Sequence, residues 1–241
     1  MASETTTKEQ APAAASKPTP AIIVHHLNDS RSQRILWLLE ELEVPYEIKF
    51  YQRGSDMLAP KELLEVSPLG KAPVITDTDG NVNLAESGAI ITYIIKKYGH
   101  GKALPPPSGE IDDLYFTHYC EGSLMPLLVN KFIFSLIPGR APWFMRFLLR
   151  GIFGKLTSTL VDPQLKKHFD FIEAHLGKSG DWFAGGDEPT SADFMMSFAL
   201  EAFAARDPTN AGPKTLEWVK RVHERPAYKR GLEKGGKYAY E

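Results

Sequence analysis

VSPLGKAPVITDTDGNVNLAESG, residues 66–88, is the stretch that decides the fold. It holds two short strand-like runs, Val74–Asp77 and Val82–Ala85, on either side of the turn signal Asp79-Gly80-Asn81. Such a turn between β-prone runs predicts a β-hairpin. Ala72-Pro73 precedes the hairpin, and a helical pattern starting at Ser87 follows it. The stretch therefore predicts a strand, a turn, a second strand and a helix in immediate succession.

The pattern extends upstream into an alternating α/β unit. Residues 21–27 form a β-branched run that ends at Asn28-Asp29-Ser30, and residues 34–42 have helical composition. Residues 46–50 alternate like a strand, and Lys61–Glu65 is predicted to be a short helix. We expect Ser30 or Ser32 to cap the first helix, since serine is a preferred cap. The order β-α-β-(α)-β-β-α is a thioredoxin-like layout.

Composition divides the chain into four segments. Residues 1–20 have almost no large apolar side chains and predict a disordered tail. Residues 21–100 form the thioredoxin-like domain, and the Pro105-Pro106-Pro107 region marks a linker over 101–109. Residues 110–241 predict an all-helical domain. Helices are expected at 112–134, 143–153, 163–176, 191–205, 216–224 and 227–231.

The bulk numbers exclude several classes of function. A net charge of −2 gives no electrostatic reason to bind nucleic acid. Cys120 is the single cysteine, so an internal disulfide, a CxxC redox pair and a cysteine zinc cluster are excluded. One cysteine and an N-terminus without an apolar run favour a cytoplasmic protein. Apolar runs shorter than 18 residues predict no transmembrane helix.

Two short motifs predict a binding site for a peptide. Gly70-Lys71-Ala72-Pro73 leads into a strand, and an X–Pro bond is inexpensive to hold cis. A cis bond would turn the Ala72 backbone outward, where an extended peptide can pair with it. Glu86-Ser87 stands at a helix start, whose free N–H groups and dipole bind a carboxylate, while the Glu86 side chain suits an ammonium. Together the motifs suit glutathione.

These motifs resemble those of the cytosolic glutathione transferases. The resemblance rests on SPLGKAPV, on ESGAII and on the helical second half, and it covers about residues 21–235. Thr190 and Asp193 resemble the capping box that opens the central helix of the family's second domain. The run SRSQRILWLLEEL at residues 30–42 is most similar to the fungal, yeast-type branch and related bacterial members.

The resemblance implies glutathione as co-substrate, with no metal. Ala72 and Pro73 would pair with its cysteinyl backbone, Glu86 and Ser87 would hold its γ-glutamyl head, and Lys71 would meet its glycyl carboxylate. The group that stabilises the thiolate is expected just after the first strand. The candidates there are Ser30 first, then Ser32 and Asn28, with Arg31 adding positive charge; Arg34 is expected to be structural and Cys120 to be a core residue.

The resemblance further implies conjugation of glutathione to hydrophobic electrophiles, with a peroxidase side activity, in a homodimer. An apolar wall is expected from Tyr115, Tyr119, Met125 and residues 132–134. Two other functions use the same fold: a hydrophobic-ligand carrier without turnover, and a non-enzymatic interaction module. Turnover of a chloro-dinitrobenzene and retention on glutathione resin separate these alternatives.

Residues 131–155 are unusual, reading KFIFSLIPGRAPWFMRFLLRGIFGK with five basic groups among many aromatic ones. One interpretation is a pair of helix ends that cover the substrate cleft or the edge of a dimer. The other is a helix that lies on a membrane surface, because Arg and Lys interleave with Phe and Leu. The sequence favours the first interpretation.

Overall fold

The computed structural model describes residues 21–56 and 58–240, so the predicted tail at 1–20 lies outside the described residues. A four-stranded sheet forms the first half of the chain. Its spatial order is β2-β1-β3-β4, with β1 parallel to β2 and antiparallel to β3, and β3 antiparallel to β4. The strands are β1 (Ile22–Leu27), β2 (Tyr46–Tyr51), β3 (Val74–Asp77) and β4 (Val82–Ala85). This mixed sheet confirms the predicted thioredoxin-like half.

Two α-helices, α1 (Gln33–Glu41) and α2 (Ser87–Tyr98), and one 3-10 helix, Lys61–Glu65, accompany the sheet. Every residue of α1 from Gln33 to Glu40 is buried, because α1 also packs against helices from the second half of the chain. That double burial explains the almost continuous apolar run ILWLL. The predicted serine cap of α1 is wrong. Ser32 occupies the cap position, but its hydroxyl bonds elsewhere, to His26 and the Leu27 carbonyl.

The second half of the described chain is helical throughout. Two π-helical turns, Cys120–Leu124 and Thr157–Val161, and a 3-10 turn at Trp143–Met145 join its longer helices. The helices are α3 (Glu110–Tyr119), α4 (Met125–Arg140), α5 (Arg146–Leu156), α6 (Asp162–Ser179), α7 (Ser191–Arg206), α8 (Pro208–Ala211), α9 (Pro213–Glu224) and α10 (Pro226–Gly235).

The predicted helix at 112–134 differs from the structure in two ways. A π-helical turn divides it into α3 and α4, and α4 continues through Pro138 to Arg140. A proline inside a helix removes one backbone hydrogen bond, which is why the sequence pattern predicted an earlier end. Elsewhere in the helical half, the short helix α8 is present although no periodic pattern had indicated it.

Asp193 is the polar centre of the helical half. It completes the predicted capping box by accepting the Thr190 N–H at 2.9 Å. Its other oxygen accepts the Phe183 N–H at 3.0 Å and the Trp218 indole N–H at 3.1 Å. Each of these donors is buried, so the carboxyl group satisfies three groups that would otherwise be left without partners.

The helical run Pro107–Arg140 is long and apolar enough to cross a membrane by length and composition, although the sequence predicted no such helix. Only 17% of its most apolar window is buried. The run nevertheless belongs to the folded domain, because Leu124 and Met125 are part of the core and α4 packs against α5 and α7. Its low burial marks a surface with many uncovered apolar side chains.

Candidate functional site

The loop between β1 and α1 contains all four residues expected to act near a thiolate. Asn28 and Arg31 are half-buried, whereas Ser30 and Ser32 are buried. The Asn28 side chain is fixed by two bonds: its oxygen accepts the Arg53 N–H at 2.8 Å, and its nitrogen donates to Asp29 at 3.1 Å. A primary amide has two N–H donors, so one remains available to a ligand.

Ser30 and Ser32 belong to a buried chain of hydrogen bonds that ends at His26. Ser30 Oγ lies 2.7 Å from Ser32 Oγ, which lies 2.8 Å from His26 Nδ1. Burial lowers the pKa of His26 to about 4, although nearby Asp29 opposes the shift. The imidazole is therefore neutral at pH 7 and carries a single N–H, which can sit on either nitrogen.

The position of that proton decides what Ser30 can do. If His26 Nδ1 carries it, and the Ser32 hydroxyl donates to Ser30 rather than to the Leu27 carbonyl 3.3 Å away, the Ser30 hydroxyl is free to donate to a thiolate. If Nδ1 is unprotonated, the hydroxyls donate in the opposite direction and the Ser30 proton is used inside the chain. Both polarities fit the distances, so His26 joins the candidates.

A cavity of about 460 Å³ lies beside this loop. Its walls include Arg31 from the loop and Lys71 and Ala72 from the segment before β3. The Ala72–Pro73 peptide bond is cis, which confirms the prediction. Ala72 lies just outside the ladder of β3, whose pairing begins at Val74, and Lys71 is exposed with no carboxylate of the described residues within 4.0 Å. The cavity thus combines an exposed cation with a strand-like backbone segment.

Glu86 and Ser87 line a neighbouring cavity rather than the one beside Lys71. Glu86 is exposed and has a φ of 70°, an uncommon left-handed conformation for this residue type. Backbone strain of this kind concentrates at functional sites. Ser87 begins α2, where the first N–H groups of the helix have no intrahelical partner.

Arginines connect the start of α2 to the loop after β1. Arg34 is completely buried and donates to the Ser87 hydroxyl at 3.1 Å and to Glu121 at 2.5 Å. Arg31 reaches the same Glu121 carboxylate at 3.0 Å. Burial works against the charge of Arg34, but Cys120 and Glu121 outweigh it and raise its pKa. The expected structural role of Arg34 at the junction with the helical half fits these contacts.

A second cavity, of about 500 Å³ and largely apolar, opens beside the loop. Met125 and Phe132, two residues of the expected apolar wall, line it. Tyr115 and Tyr119 do not, and that part of the expectation is wrong: they border a different depression, and the Tyr119 hydroxyl bonds to His168. The remaining apolar lining residues are Leu128, Val129, Phe198, Ala202, Ala239 and Tyr240.

Arg31 and Arg53 line both the polar and the apolar cavity. The two spaces are therefore adjacent, and the loop after β1 separates them.

Cys120 is unsuited to thiol chemistry. Burial raises the pKa of its thiol to about 11, with Arg34 opposing the shift. Its sulfur contacts Arg34 at 3.2 Å and donates to the Met195 carbonyl at 3.0 Å. The thiol is therefore a protonated core group at neutral pH.

The fold and the paired cavities define a class of protein: a thioredoxin-like domain that presents a polar peptide site, joined to helices that supply an apolar site. Comparison with known proteins gives the family. Residues 30–97 match the family model "Glutathione S-transferase, N-terminal domain", and residues 158–221 match "Glutathione S-transferase, C-terminal domain".

Whole-chain relatives agree with the two matches. Glutathione S-transferase 3 of Schizosaccharomyces pombe is 37% identical over 88% of this chain and 87% of its own length. Glutathione S-transferase 1 of Saccharomyces cerevisiae is 33% identical over 89% of this chain and 95% of its own. A crystal structure of a glutathione S-transferase from Actinobacillus pleuropneumoniae has a TM-score of 0.71 and 28% identity, and the alignment covers 89% of this chain and 92% of that one. The chain belongs to the glutathione S-transferase family and to its fungal-type branch, and glutathione is its co-substrate.

Proposed function

We propose that this glutathione transferase conjugates glutathione to hydrophobic electrophiles. The observation that carries the proposal is the pair of adjacent cavities that share Arg31 and Arg53. One is lined by an exposed cation and a backbone segment, as a peptide with a terminal carboxylate requires. The other is mostly apolar, as a hydrophobic second substrate requires. Holding the two reactants side by side supplies a large part of the rate.

The binding residues we propose divide the peptide into three parts. Lys71 pairs with the glycyl carboxylate, and Ala72 with Pro73 presents backbone to the cysteinyl residue. Glu86 meets the γ-glutamyl ammonium, and the N–H groups at Ser87 meet its carboxylate. Arg31 contributes positive charge between these parts. The exposed position of Glu86 and its left-handed backbone support this assignment.

The thiolate is stabilised, in our proposal, at the start of α1. Lowering a thiol pKa by two units requires about 2.7 kcal/mol of preferential stabilisation of the thiolate. Asn28 lines the apolar cavity and has one side-chain N–H beyond its bond to Asp29, so we propose it as the first donor. Ser30 and Ser32 supply a second donor when the hydrogen-bond chain is polarised outward from His26. The free backbone N–H groups at the start of α1 add to the stabilisation of the thiolate by these side chains.

We further propose the division into a domain at 21–100, a linker at 101–109 and a helical domain at 110–241. A glutathione-dependent peroxidase activity follows from the same thiolate. We also propose a homodimer and a cytoplasmic location. The exposed apolar residues Ile111, Leu114 and Tyr115 on α3 support a partner subunit on that face.

Steady-state conjugation of 1-chloro-2,4-dinitrobenzene, with reduction of cumene hydroperoxide measured in parallel, tests this proposal. We expect glutathione-dependent turnover with both substrates. Binding of glutathione by calorimetry without turnover of either substrate would instead support the carrier function. Absence of glutathione binding would contradict the site as a whole.

A further inference from the structure

A helical hairpin in the second half of the chain has little contact with the core. We call residues 131–160 the basic hairpin; it comprises most of α4, the turn after it, α5 and the π-helical turn that follows. None of the residues of α5 is buried. Trp143 is 82% exposed and Phe147 is 90% exposed, values that isolated surface aromatics rarely reach. Phe144, Leu148, Ile152 and Leu160 are also exposed.

Phe147 and three of the aliphatic side chains share one groove, and Trp143 and Phe144 pack against each other at the turn before it. Leu148, Ile152 and Leu160 follow one another at helical spacing and border a groove of about 1080 Å³ on the outside of α5. Arg150 and Lys155 stand at the same groove. Contiguous exposed apolar surface of this kind marks an interaction site.

The charge of this region is the opposite of that of the remaining chain. Between residues 122 and 161 there are five Lys or Arg and no Asp or Glu. The whole chain has 28 basic and 30 acidic side chains, so 23 basic and 30 acidic ones lie elsewhere, a net charge of −7. Among the described residues, Arg140, Arg150 and Lys155 have no carboxylate within 4.0 Å. Their charges are therefore free to meet an external anion.

We propose that the basic hairpin docks on an anionic lipid surface. Exposed aromatic and aliphatic side chains enter the boundary between headgroups and acyl chains, and the cations meet the lipid phosphates and carboxylates. Tryptophan at the turn is suited to this depth, because its ring is apolar and its N–H prefers a polar partner. Residues 131–157 of the hairpin lie outside the two segments matched by the family models, residues 30–97 and 158–221.

Charge argues against a second copy of the chain as the occupant. A two-fold contact brings the same patch of both subunits together, so Arg140, Arg150 and Lys155, which have no carboxylate of the described residues within 4.0 Å, would face their own copies. An anionic lipid surface has the complementary sign. Docking flat, rather than crossing the membrane, is consistent with the packing of α4 against α5 and α7.

Sedimentation with phospholipid vesicles tests the proposal on the full-length protein. We expect binding to vesicles of phosphatidylcholine with one third phosphatidylserine, much weaker binding to phosphatidylcholine alone, and release by high salt. The triple variant Arg140→Gln, Arg150→Gln and Lys155→Gln should bind the anionic vesicles roughly 100-fold more weakly, at about fivefold for each cation.

A matched variant controls for net charge. Lys178→Gln, Lys220→Gln and Lys229→Gln remove three exposed cations outside the hairpin and should leave vesicle binding within about twofold of wild type. Phe147→Ser should weaken binding about tenfold, because it removes one large apolar group from the lipid contact. Leu104→Ser, which replaces an exposed leucine outside the hairpin, should leave vesicle binding unchanged.

Trp143 gives an independent optical readout. The other three tryptophans, Trp37, Trp182 and Trp218, are buried in the fold. Anionic vesicles should therefore shift the intrinsic fluorescence of the wild type to shorter wavelength, and Trp143→Phe should abolish the shift while sedimentation persists. Conjugating activity without vesicles should be the same in all these variants.

Three results would overturn the proposal. The first is that wild-type protein stays in the supernatant at low salt in the presence of anionic vesicles. Equal binding by the hairpin variant and its charge-matched control would show that the hairpin is not the contact. A fall in molecular mass caused by Phe147→Ser in the absence of lipid would show that a second copy covers the hairpin.

Discussion

The backbone N–H of Ala239 donates to the Asp29 carboxylate at 2.9 Å, joining residues 210 positions apart in the chain. The bond holds the C-terminal segment against the loop that follows β1. The next residue, Tyr240, lines the apolar cavity and accepts a hydrogen bond from Arg206 at 2.6 Å. Ala239 and Tyr240 thus form a wall of the proposed electrophile site.

A substitution in that wall should weaken binding of the electrophile. We expect Tyr240→Ala to raise KM for chloro-dinitrobenzene about tenfold, the effect of losing one large apolar contact, while KM for glutathione changes little. Tyr115→Ala is the control, since Tyr115 borders a different depression. Steady-state kinetics with each substrate varied in turn gives both constants. An effect of Tyr115→Ala larger than that of Tyr240→Ala would restore the wall expected from the sequence.

The sequence could predict the local elements of the fold but not the contacts that form this wall. The hairpin from β3 to β4 was predictable because a local turn signal and two β-prone runs decide it. The contact between Asp29 and Ala239 was not, because no local pattern links residues so far apart. Tyr115 and Tyr119 were misassigned for another reason. A π-helical turn at Cys120–Leu124 separates α3, which carries these tyrosines, from α4, and residues of the two helices line different cavities.

The start of α2 should account for much of the affinity for glutathione. We expect Glu86→Gln to weaken binding about 10- to 100-fold, because it removes one charge-assisted bond to the γ-glutamyl ammonium. Ser87→Ala should weaken binding less than Glu86→Gln, because it keeps the backbone N–H groups and removes only the hydroxyl that accepts from Arg34. Calorimetric titration measures both, with circular dichroism to establish that each variant is folded. Glu62→Gln, at an exposed glutamate of the 3-10 helix, is the control. Wild-type affinity in both site variants would remove this half of the site.

The proposed dimer makes a prediction about mass. Light scattering at micromolar concentration should give twice the chain mass of 26.9 kDa. Leu114→Arg, which puts a charge on the exposed apolar face of α3, should lower the mass toward that of one chain. A monomeric wild type would contradict the dimer. A wild-type mass for the variant would move the contact to another face.

The buried His26 should make stability depend on pH. Its pKa is about 4 in the folded state, against an ordinary value of 6.5, so between these values the unfolded chain binds a proton that the folded one does not. The contribution of His26 to the free energy of unfolding is therefore complete above pH 6.5. It is lost as pH falls toward 4, by at most about 3 kcal/mol. Urea unfolding from pH 4.5 to 7.5 should give a flatter profile for His26→Gln than for wild type.

Other groups titrate in the same range, so the comparison needs a control. Burial also lowers the pKa of His25 and His168, and it raises that of Asp193 to about 6. All three are unchanged in His26→Gln, and the difference between the two profiles isolates His26. His118→Gln, at an exposed histidine, should follow wild type. Parallel profiles for wild type and His26→Gln would contradict the neutral buried imidazole.

The hydrogen-bond donor to the thiolate is the part of the site that the sequence predicted least specifically. It indicated Ser30 first, then Ser32 and Asn28, because all three follow β1. Local sequence cannot reveal that Ser30 and Ser32 are bonded to each other and to His26, since that chain depends on the packing of α1 against the sheet. Asn28, by contrast, reaches the cavity wall. The order of the candidates is therefore open to a direct measurement.

We expect Asn28→Ala to raise the pKa of the enzyme-bound glutathione thiol by about one unit, the effect of one lost charge-assisted donor. Ser30→Ala should raise it by less, and Cys120→Ser should leave it unchanged because the Cys120 thiol is buried and protonated. Ultraviolet titration of the bound thiolate, beside kcat at pH 6.5, distinguishes the three. If Ser30→Ala causes the larger shift, the hydroxyl chain polarised by His26 is the principal donor, and His26→Gln should then reproduce the defect. If Cys120→Ser is the inactive variant, the reaction proceeds through a protein thiol, and conjugation by a bound glutathione thiolate is the wrong mechanism.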